Sequence, residues 1–262
     1  MADRTLRVCA LYPDLLNIYA DRGNLLLLQR RCEWRGIGFE LTGAGLGNPL
    51  EPDAHDLLYI GGGQDRDQAL CARDMVETKR AAIHAAADRG AVVFAVCGGY
   101  QLLGHGYDMG GERLPGVGLV DLETVREEGP RLIGNVAIEL VEPDDSSRAA
   151  TPRGSLRGLV LAGFENHGGR TRLGPGTRPL GRVLRGHGND GRSGYEGVRG
   201  GRHGTVVGTY LHGPLLPKNA HFADWLTATA LGIAPDDLPP LDDALEDAAH
   251  AAARHAAGVR PL

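Results

Sequence analysis

Ala91-Val92-Val93-Phe94-Ala95-Val96-Cys97-Gly98-Gly99-Tyr100-Gln101-Leu102-Leu103-Gly104 is the stretch whose reading decides the fold. A continuous apolar run stops at a cysteine, two glycines come next, and an apolar pattern of helical spacing begins. A short apolar run bounded by turn residues reads as a buried strand, and the segment after the glycines reads as a helix. Cys97 then stands at the apex of a strand–turn–helix elbow, where a tight turn needs small neighbours. The elbow lifts the sulfur out of the sheet edge and aims the amides of the next helix at it, which favours thiolate over thiol. A buried structural cysteine ahead of a glycine turn has the same local sequence, because free cysteine is commonly buried.

Upstream of the elbow, strand-like and helix-like segments alternate. Leu6 to Leu11, Phe39 to Leu41 and Leu57 to Ile60 read as strands. Tyr19 to Arg35 and Ala69 to Arg89 have helical periodicity, and Gly36 and Gly90 stop them. This alternation predicts an α/β fold with a doubly wound, mostly parallel sheet flanked by helices. After Gly104 the texture changes. Leu119 to Glu127, Arg131 to Leu140, Gly158 to Gly163, Arg178 to Arg185 and Thr205 to Leu211 read as strands, so extra β segments are expected in the second half. Asn219 to Ala230 reads as a late helix, and Gly186 to Gly204 as a mobile surface loop. One domain is expected over residues 1–235. Residues 236–262 form a Pro-containing linker and an Ala-rich helix, Ala244 to Ala257, that either covers the core or docks a partner.

Composition narrows the class. The chain of 262 residues has a net charge of −5, which points away from nucleic acid and anionic membrane as partners. The four cysteines, Cys9, Cys32, Cys71 and Cys97, form no CxxC pair, so no metal site is expected, and scattered thiols fit a reducing cytoplasm. Met1 to Thr5 is polar and leads into a strand, without the pattern of a signal peptide or membrane helix.

A thiol nucleophile needs a base. Among ten histidines, His212 ends the apolar strand of Val206-Val207-Gly208-Thr209-Tyr210-Leu211-His212-Gly213-Pro214. The C-terminal ends of parallel strands gather on one side of a sheet, where Cys97 and His212 can meet, although a histidine there also serves simply to cap a strand. Such a pair activates sulfur for attack on a carbonyl. Gly61-Gly62-Gly63-Gln64-Asp65-Arg66-Asp67 lies between a strand and a helix. Its backbone N–H groups, with that of Gly98, suit an oxyanion hole. A phosphate cradle is disfavoured, because the chain has no GxxxxGK[ST] and no lysine comes after the glycines.

Taken together, these motifs resemble class I glutamine amidotransferase domains over about residues 6 to 230. Gly61-Gly62-Gly63-Gln64-Asp65-Arg66, Cys97-Gly98-Gly99-Tyr100-Gln101-Leu102-Leu103-Gly104 and Tyr210-Leu211-His212-Gly213-Pro214-Leu215-Leu216-Pro217-Lys218-Asn219 look like the cobyric-acid-synthase-like group. With Tyr12-Pro13-Asp14-Leu15-Leu16-Asn17-Ile18-Tyr19 and Asp21-Arg22-Gly23-Asn24, they are most similar to the glutaminase subunits of bacterial lipid II isoglutaminyl synthases.

The resemblance implies that Cys97 attacks the side-chain amide of L-glutamine and that His212 shuttles the proton. It places the oxyanion on amides of Gly62, Gly63 and Gly98, and makes Arg131 and Gln101 substrate-binding residues; a planar guanidinium suits a carboxylate. One departure stands out. Many class I glutaminases carry a glutamate two residues after the histidine, and here that residue is Pro214. Either a Cys–His dyad suffices or another carboxylate orients the imidazole, with Glu165 of Gly163-Phe164-Glu165-Asn166-His167-Gly168-Gly169 as the candidate and His167 serving structure.

No cofactor is expected in this chain. Having no Walker motif, it implies a partner, and the resemblance supplies one: a Mur-ligase-like, ATP- and Mg-dependent subunit in a heterodimer. That subunit amidates the D-glutamate of lipid II to D-isoglutamine in peptidoglycan synthesis, at the cytoplasmic face of the membrane. The competing readings are an amidotransferase domain for cobyrinate or another acid, and a catalytically silent binding module of the same fold.

Overall fold

The computed structural model describes residues 4–18, 21–141, 156 and 158–259. Met1–Asp3 of the polar start and Tyr19–Ala20 of the first expected helix lie outside them. The first half runs β1 (Thr5–Leu11), α1 (Arg22–Trp34), β2 (Gly38–Ala44), β3 (Leu57–Ile60), α2 (Asp65–Asp74), a π-helical turn (Met75–Lys79), α3 (Arg80–Arg89), β4 (Val92–Val96) and α4 (Gly98–Leu102). The second half runs β5 (Gly106–Asp108), β6 (Arg113–Pro115), β7 (Leu122–Arg126), β8 (Leu132–Leu140), β9 (Val160–His167), β10 (Gly169–Leu173), β11 (Gly181–Arg185), β12 (Tyr195–Glu196), β13 (Val198–Gly200), β14 (Val206–Thr209), α5 (Ala220–Ala230) and α6 (Ala244–Ala256).

Six strands form the central sheet in the order β13-β14-β4-β3-β1-β2. All are parallel except β13, which pairs antiparallel with β14 at one edge. Every residue of β3, β4 and β14 is buried. That explains the unbroken apolar sequences of β3 and β4, since a parallel strand covered on both faces has no polar side to show. Two smaller sheets, β10-β7-β5-β6 and β12-β11-β8-β9, come from the second half. The β9 sheet is tied to the end of the central one by a bridge between Phe164 and His212.

Two expectations change. The helix expected over Ala69 to Arg89 starts at Asp65 and is interrupted by the π turn, which buries Lys79 against Asp74 and the Tyr12 ring. The stretch Gly186 to Gly204 is not a mobile surface loop. It contributes β12 and β13, and it buries Asn189 and Glu196, whose polar groups bond Gly197, Thr209 and Tyr210. The C-terminal segment is strapped down: buried Arg31 pairs with Asp224 and Asp243 at 2.7 Å each, and Arg35 donates to the Pro239 carbonyl at 2.7 Å. The Asn135 amide donates to the Ala256 carbonyl at the far end of α6. No helix among the described residues is long and apolar enough to cross a membrane.

Candidate active site

The elbow has the expected form. Cys97 adopts φ 52° and ψ −107°, a left-handed setting that side chains other than glycine seldom take. Such strain persists only where surrounding structure holds it. Here the Cys97 N–H donates to the Thr209 carbonyl at 2.8 Å, and the Gly99 N–H to the Gly61 carbonyl at 3.1 Å. The elbow is thereby locked to β14 on one side and to the triple-glycine loop on the other.

His212 lies three residues beyond the end of β14, whose Thr209 is in register with Val96 of β4. The nucleophile and base candidates thus leave neighbouring parallel strands at the same sheet edge. Two backbone hydrogen bonds with Phe164 hold His212 (3.1 and 2.9 Å), and the Phe164 ring meets the imidazole edge-on at 6.0 Å. The positive charge of Arg131 acts on both Cys97 and His212.

Electrostatics corrects one expectation. Burial, reinforced by the negative charge of Asp21, pushes the Cys97 thiol up to about 12; Arg131 and the Gly98 amide pull it down, but by less. Helix α4 has five residues and cannot outweigh desolvation. Burial, with the nearby His167, Lys218 and Arg131, pushes His212 down to about 4. At neutral pH the pair rests as thiol and neutral imidazole.

Of the three glycines expected around an oxyanion, Gly62 is already engaged: its N–H donates to Asp21 Oδ2 at 3.1 Å. A Cβ built on Gly62 would stand 3.2 Å from Cys97 Cβ, and one on Gly98 would stand 3.2 Å from the Gly63 nitrogen. The glycine loop at Gly62 and Gly63 is therefore packed directly against the elbow at Cys97 and Gly98.

Arg131 is exposed on entry to β8. Asn166 on β9 takes its Nε and Nη2 through Oδ1 and the backbone carbonyl, both at 2.8 Å. That occupies the side-on edge of the guanidinium and leaves the Nη1 end for a carboxylate. Gln101 is placed differently from a substrate contact. It is buried, its Nε2 donates to Tyr210 Oη (3.2 Å), and its Oε1 accepts from Gln68 (2.8 Å). Gln68 also donates to the Gly98 carbonyl, and Tyr210 bonds Thr171 at 2.6 Å. Gln101 thus ties the elbow to β10 inside the protein. Glu165 likewise has both oxygens occupied, by the His187 and Gly188 amides at 2.7 and 2.9 Å, and it fixes that turn. His167 stacks on Tyr210, with 3.6 Å between ring centroids.

Sequence reasoning missed Asp21, Asn166 and Glu196. Glu196 is wholly buried, and burial raises its carboxyl to about 8 against the hydrogen bonds from the Tyr210 amide and the Thr209 hydroxyl. It anchors the chain just before His212.

A strained elbow cysteine beside a glycine loop, with a histidine just past the end of the adjacent strand, is the arrangement of a glutamine amidotransferase. Residues 7–220 match the CobB/CobQ-like glutamine amidotransferase domain, and the chain belongs to that family. Among its relatives is the lipid II isoglutaminyl synthase (glutamine-hydrolyzing) subunit GatD of Streptococcus pneumoniae, 35% identical over 86% of this chain and 80% of that protein. The subunit of the same name from Staphylococcus aureus is 37% identical over 83% of this chain and 81% of its own length. Cobyric acid synthase of Pelotomaculum thermopropionicum is 32% identical over 86% of this chain, which spans only 41% of that longer protein. The structure of PurLQS from Thermotoga maritima shares the fold, with a TM-score of 0.55 at 21% identity over 87% of this chain and 95% of that one.

Proposed function

We propose that this chain is the glutamine-hydrolysing subunit of a lipid II isoglutaminyl synthase. The observation that carries the reading is identity above one third with two such subunits over more than four fifths of this chain.

In this reading glutamine enters beside the elbow, with its α-carboxylate on the Nη1 end of Arg131. Cys97 Sγ attacks the side-chain carbonyl carbon while His212 takes the thiol proton. The Gly63 and Gly98 amides receive the tetrahedral oxyanion. His212 returns the proton to the departing nitrogen, and ammonia leaves. Water, deprotonated by His212, then attacks the glutamyl thioester, releasing glutamate and restoring the thiol. Gln101 and Glu165 position the elbow and the 187–188 turn without touching substrate.

Ammonia in water at neutral pH is mostly ammonium, which is not a nucleophile, so the product must pass directly to an activated acid. A Mur-ligase-like partner, binding ATP and Mg, activates the D-glutamate α-carboxyl of the lipid II stem peptide. The heterodimer acts at the inner membrane face because its acceptor lies there.

The test is ammonia release from L-glutamine by this chain, alone and with the co-expressed ligase-like subunit, together with lipid II amidation by the pair. Cys97→Ala is expected to lower glutamine-driven amidation by at least about a thousandfold, while ammonium salt still drives it. Loss of both, from a folded complex, would show that Cys97 is needed for the ammonia-driven step as well and would remove the division of labour between the two subunits. Glutamine-driven amidation at the wild-type rate would remove the nucleophile assignment. A second variant tests the Arg131 geometry: Asn166→Ala releases the side-on edge of the guanidinium, and KM for glutamine is expected to rise about tenfold with kcat within about threefold. Steady-state kinetics separate the two, and an unchanged KM would dissociate Asn166 from substrate binding.

A further inference from the structure

The segment Asp21-Arg22-Gly23-Asn24 has no part in the chemistry above, yet it touches both halves of the site. Asn24 Oδ1 accepts from the Leu216 N–H (2.8 Å), in the chain just after His212. Its Nδ2 donates to Tyr59 Oη (3.1 Å), and that hydroxyl donates to the Asp21 carbonyl (3.2 Å). Gly23 lies against Pro214, where a Cβ would stand 2.6 Å from the proline Cγ. Asp21 reaches the other way, to Gly62.

Asp21 occupies the N-cap position of α1 but makes no capping hydrogen bond. Aspartate at that position ordinarily accepts from the second or third helical amide and stabilises the helix. Asp21 forgoes it. Its side chain is fully buried, Oδ2 is spent on Gly62, and Oδ1 has no hydrogen-bond partner among the described residues. Burial raises its carboxyl to about 7, the Gly62 hydrogen bond opposing. A buried carboxyl with one bare oxygen is a cost to the fold. What it obtains is control of the Gly61–Gly62 peptide plane; the next plane is held through the Gly62 carbonyl, which accepts from the Ile18 N–H (3.1 Å), and the two together set Gly63 beside Gly98.

We propose that Asp21 is a positioning residue for glutamine hydrolysis: by gripping the Gly62 N–H it fixes the Gly61–Gly62 peptide, and with the following carbonyl held by Ile18 this sets the Gly63 amide toward the oxyanion formed at Cys97. This rests on Cys97 being the nucleophile. The role belongs to the acceptor oxygen rather than to the charge, because the charge opposes thiolate formation at Cys97.

The test compares Asp21→Ala, Asp21→Asn and Asp21→Glu with Cys97→Ala, in whichever form the wild type turns over glutamine, alone or with its partner. Asp21→Ala is expected to lower kcat by about thirtyfold or more with KM within about threefold, somewhat less than deletion of an oxyanion donor. Asp21→Asn retains a carbonyl acceptor for Gly62 and is expected to restore kcat to within about threefold of wild type, which loss of general packing does not predict. Asp21→Glu keeps the charge but displaces the acceptor, and is expected to fall with alanine. If the alanine variant does not fold, the asparagine and glutamate variants decide the matter. Both uncharged variants are also expected to shift Cys97 alkylation by iodoacetamide to lower pH. Asp21→Ala at the wild-type kcat, or Asp21→Asn as impaired as Asp21→Ala, would overturn the proposal while Cys97→Ala stays silent. A Cys97→Ala protein that still hydrolyses glutamine would instead show that the nucleophile is misassigned, and the proposal falls with it.

Discussion

Replacing His212 by alanine is expected to lower kcat for glutamine hydrolysis by about a thousandfold, the middle of the range for general acid–base catalysis. The reason lies in the resting protonation states. Cys97 is 7% exposed and His212 fully buried, and burial moves the two in opposite directions, the thiol to about 12 and the imidazole to about 4. At neutral pH roughly one thiol in ten to the fifth is ionised, so sulfur cannot react as a standing thiolate. It must lose its proton as it attacks, and the group at the same sheet edge that is unprotonated at neutral pH is His212. These states set the sign of the pH dependence. A base works in its deprotonated form, so kcat should be level through neutral pH and fall only on acidification toward about 4, the folded value for His212. Iodoacetamide alkylation of the free chain should be slow at pH 7 and still rising above pH 9. An alkylation plateau already reached by pH 7 would show a resting thiolate–imidazolium pair and refute this account.

The elbow could be read from the sequence because several local signals agree there: an apolar run, an abrupt cysteine, two glycines and a helical period. The same holds for β3 and its glycine loop. Other features have no local signature. Asp21 looks like an ordinary helix cap, and its actual partner is a backbone amide 41 residues away. Glu196 and Asn189 lie in a glycine-dense stretch whose composition describes a loop, and their burial follows from the pairing of β13 with β14, a tertiary event. Strands such as β5, β6 and β12 span only two or three residues, too few for a period to show. The motif drew attention to Gln101 but left its direction open: the same amide that suggested a hand for substrate is spent on Gln68 and Tyr210. Residue identity located the chemistry, and long-range hydrogen bonding decided which residues serve it directly and which hold others in place.

Gly99→Ala is expected to cost about 3 kcal/mol of folding stability, at the upper end for overpacking a buried site. The sequence suggests that this glycine supplies turn freedom, but the structure gives another reason. The left-handed strain falls on Cys97, and Gly99 does not have a positive φ. What Gly99 provides is room. A Cβ there would stand 2.5 Å from the Ile60 carbonyl oxygen, 2.7 Å from Ile60 Cγ2 and 2.9 Å from the Gly61 carbonyl oxygen. Two of the three are backbone atoms, one on Ile60, the last residue of a strand paired on both sides, and one on Gly61 directly after it, and they have no rotamer by which to yield. The elbow must move instead, stretching the bond from the Gly99 N–H to the Gly61 carbonyl and carrying the Gly98 amide away from Gly63. A displacement approaching 1 Å in a reacting constellation lowers turnover about a hundredfold, so kcat should fall by that order even in the fraction that stays folded. Gly111→Ala is the matched control: no described residue lies within 4 Å of its Cβ position, it has no positive φ, and both stability and kcat should hold. Urea unfolding and glutamine turnover on the two variants read both effects. A Gly99→Ala protein with the wild-type unfolding midpoint would mean that the elbow and the glycine loop can move apart freely, and the short contact between them would then not hold the nucleophile against the amides that serve it.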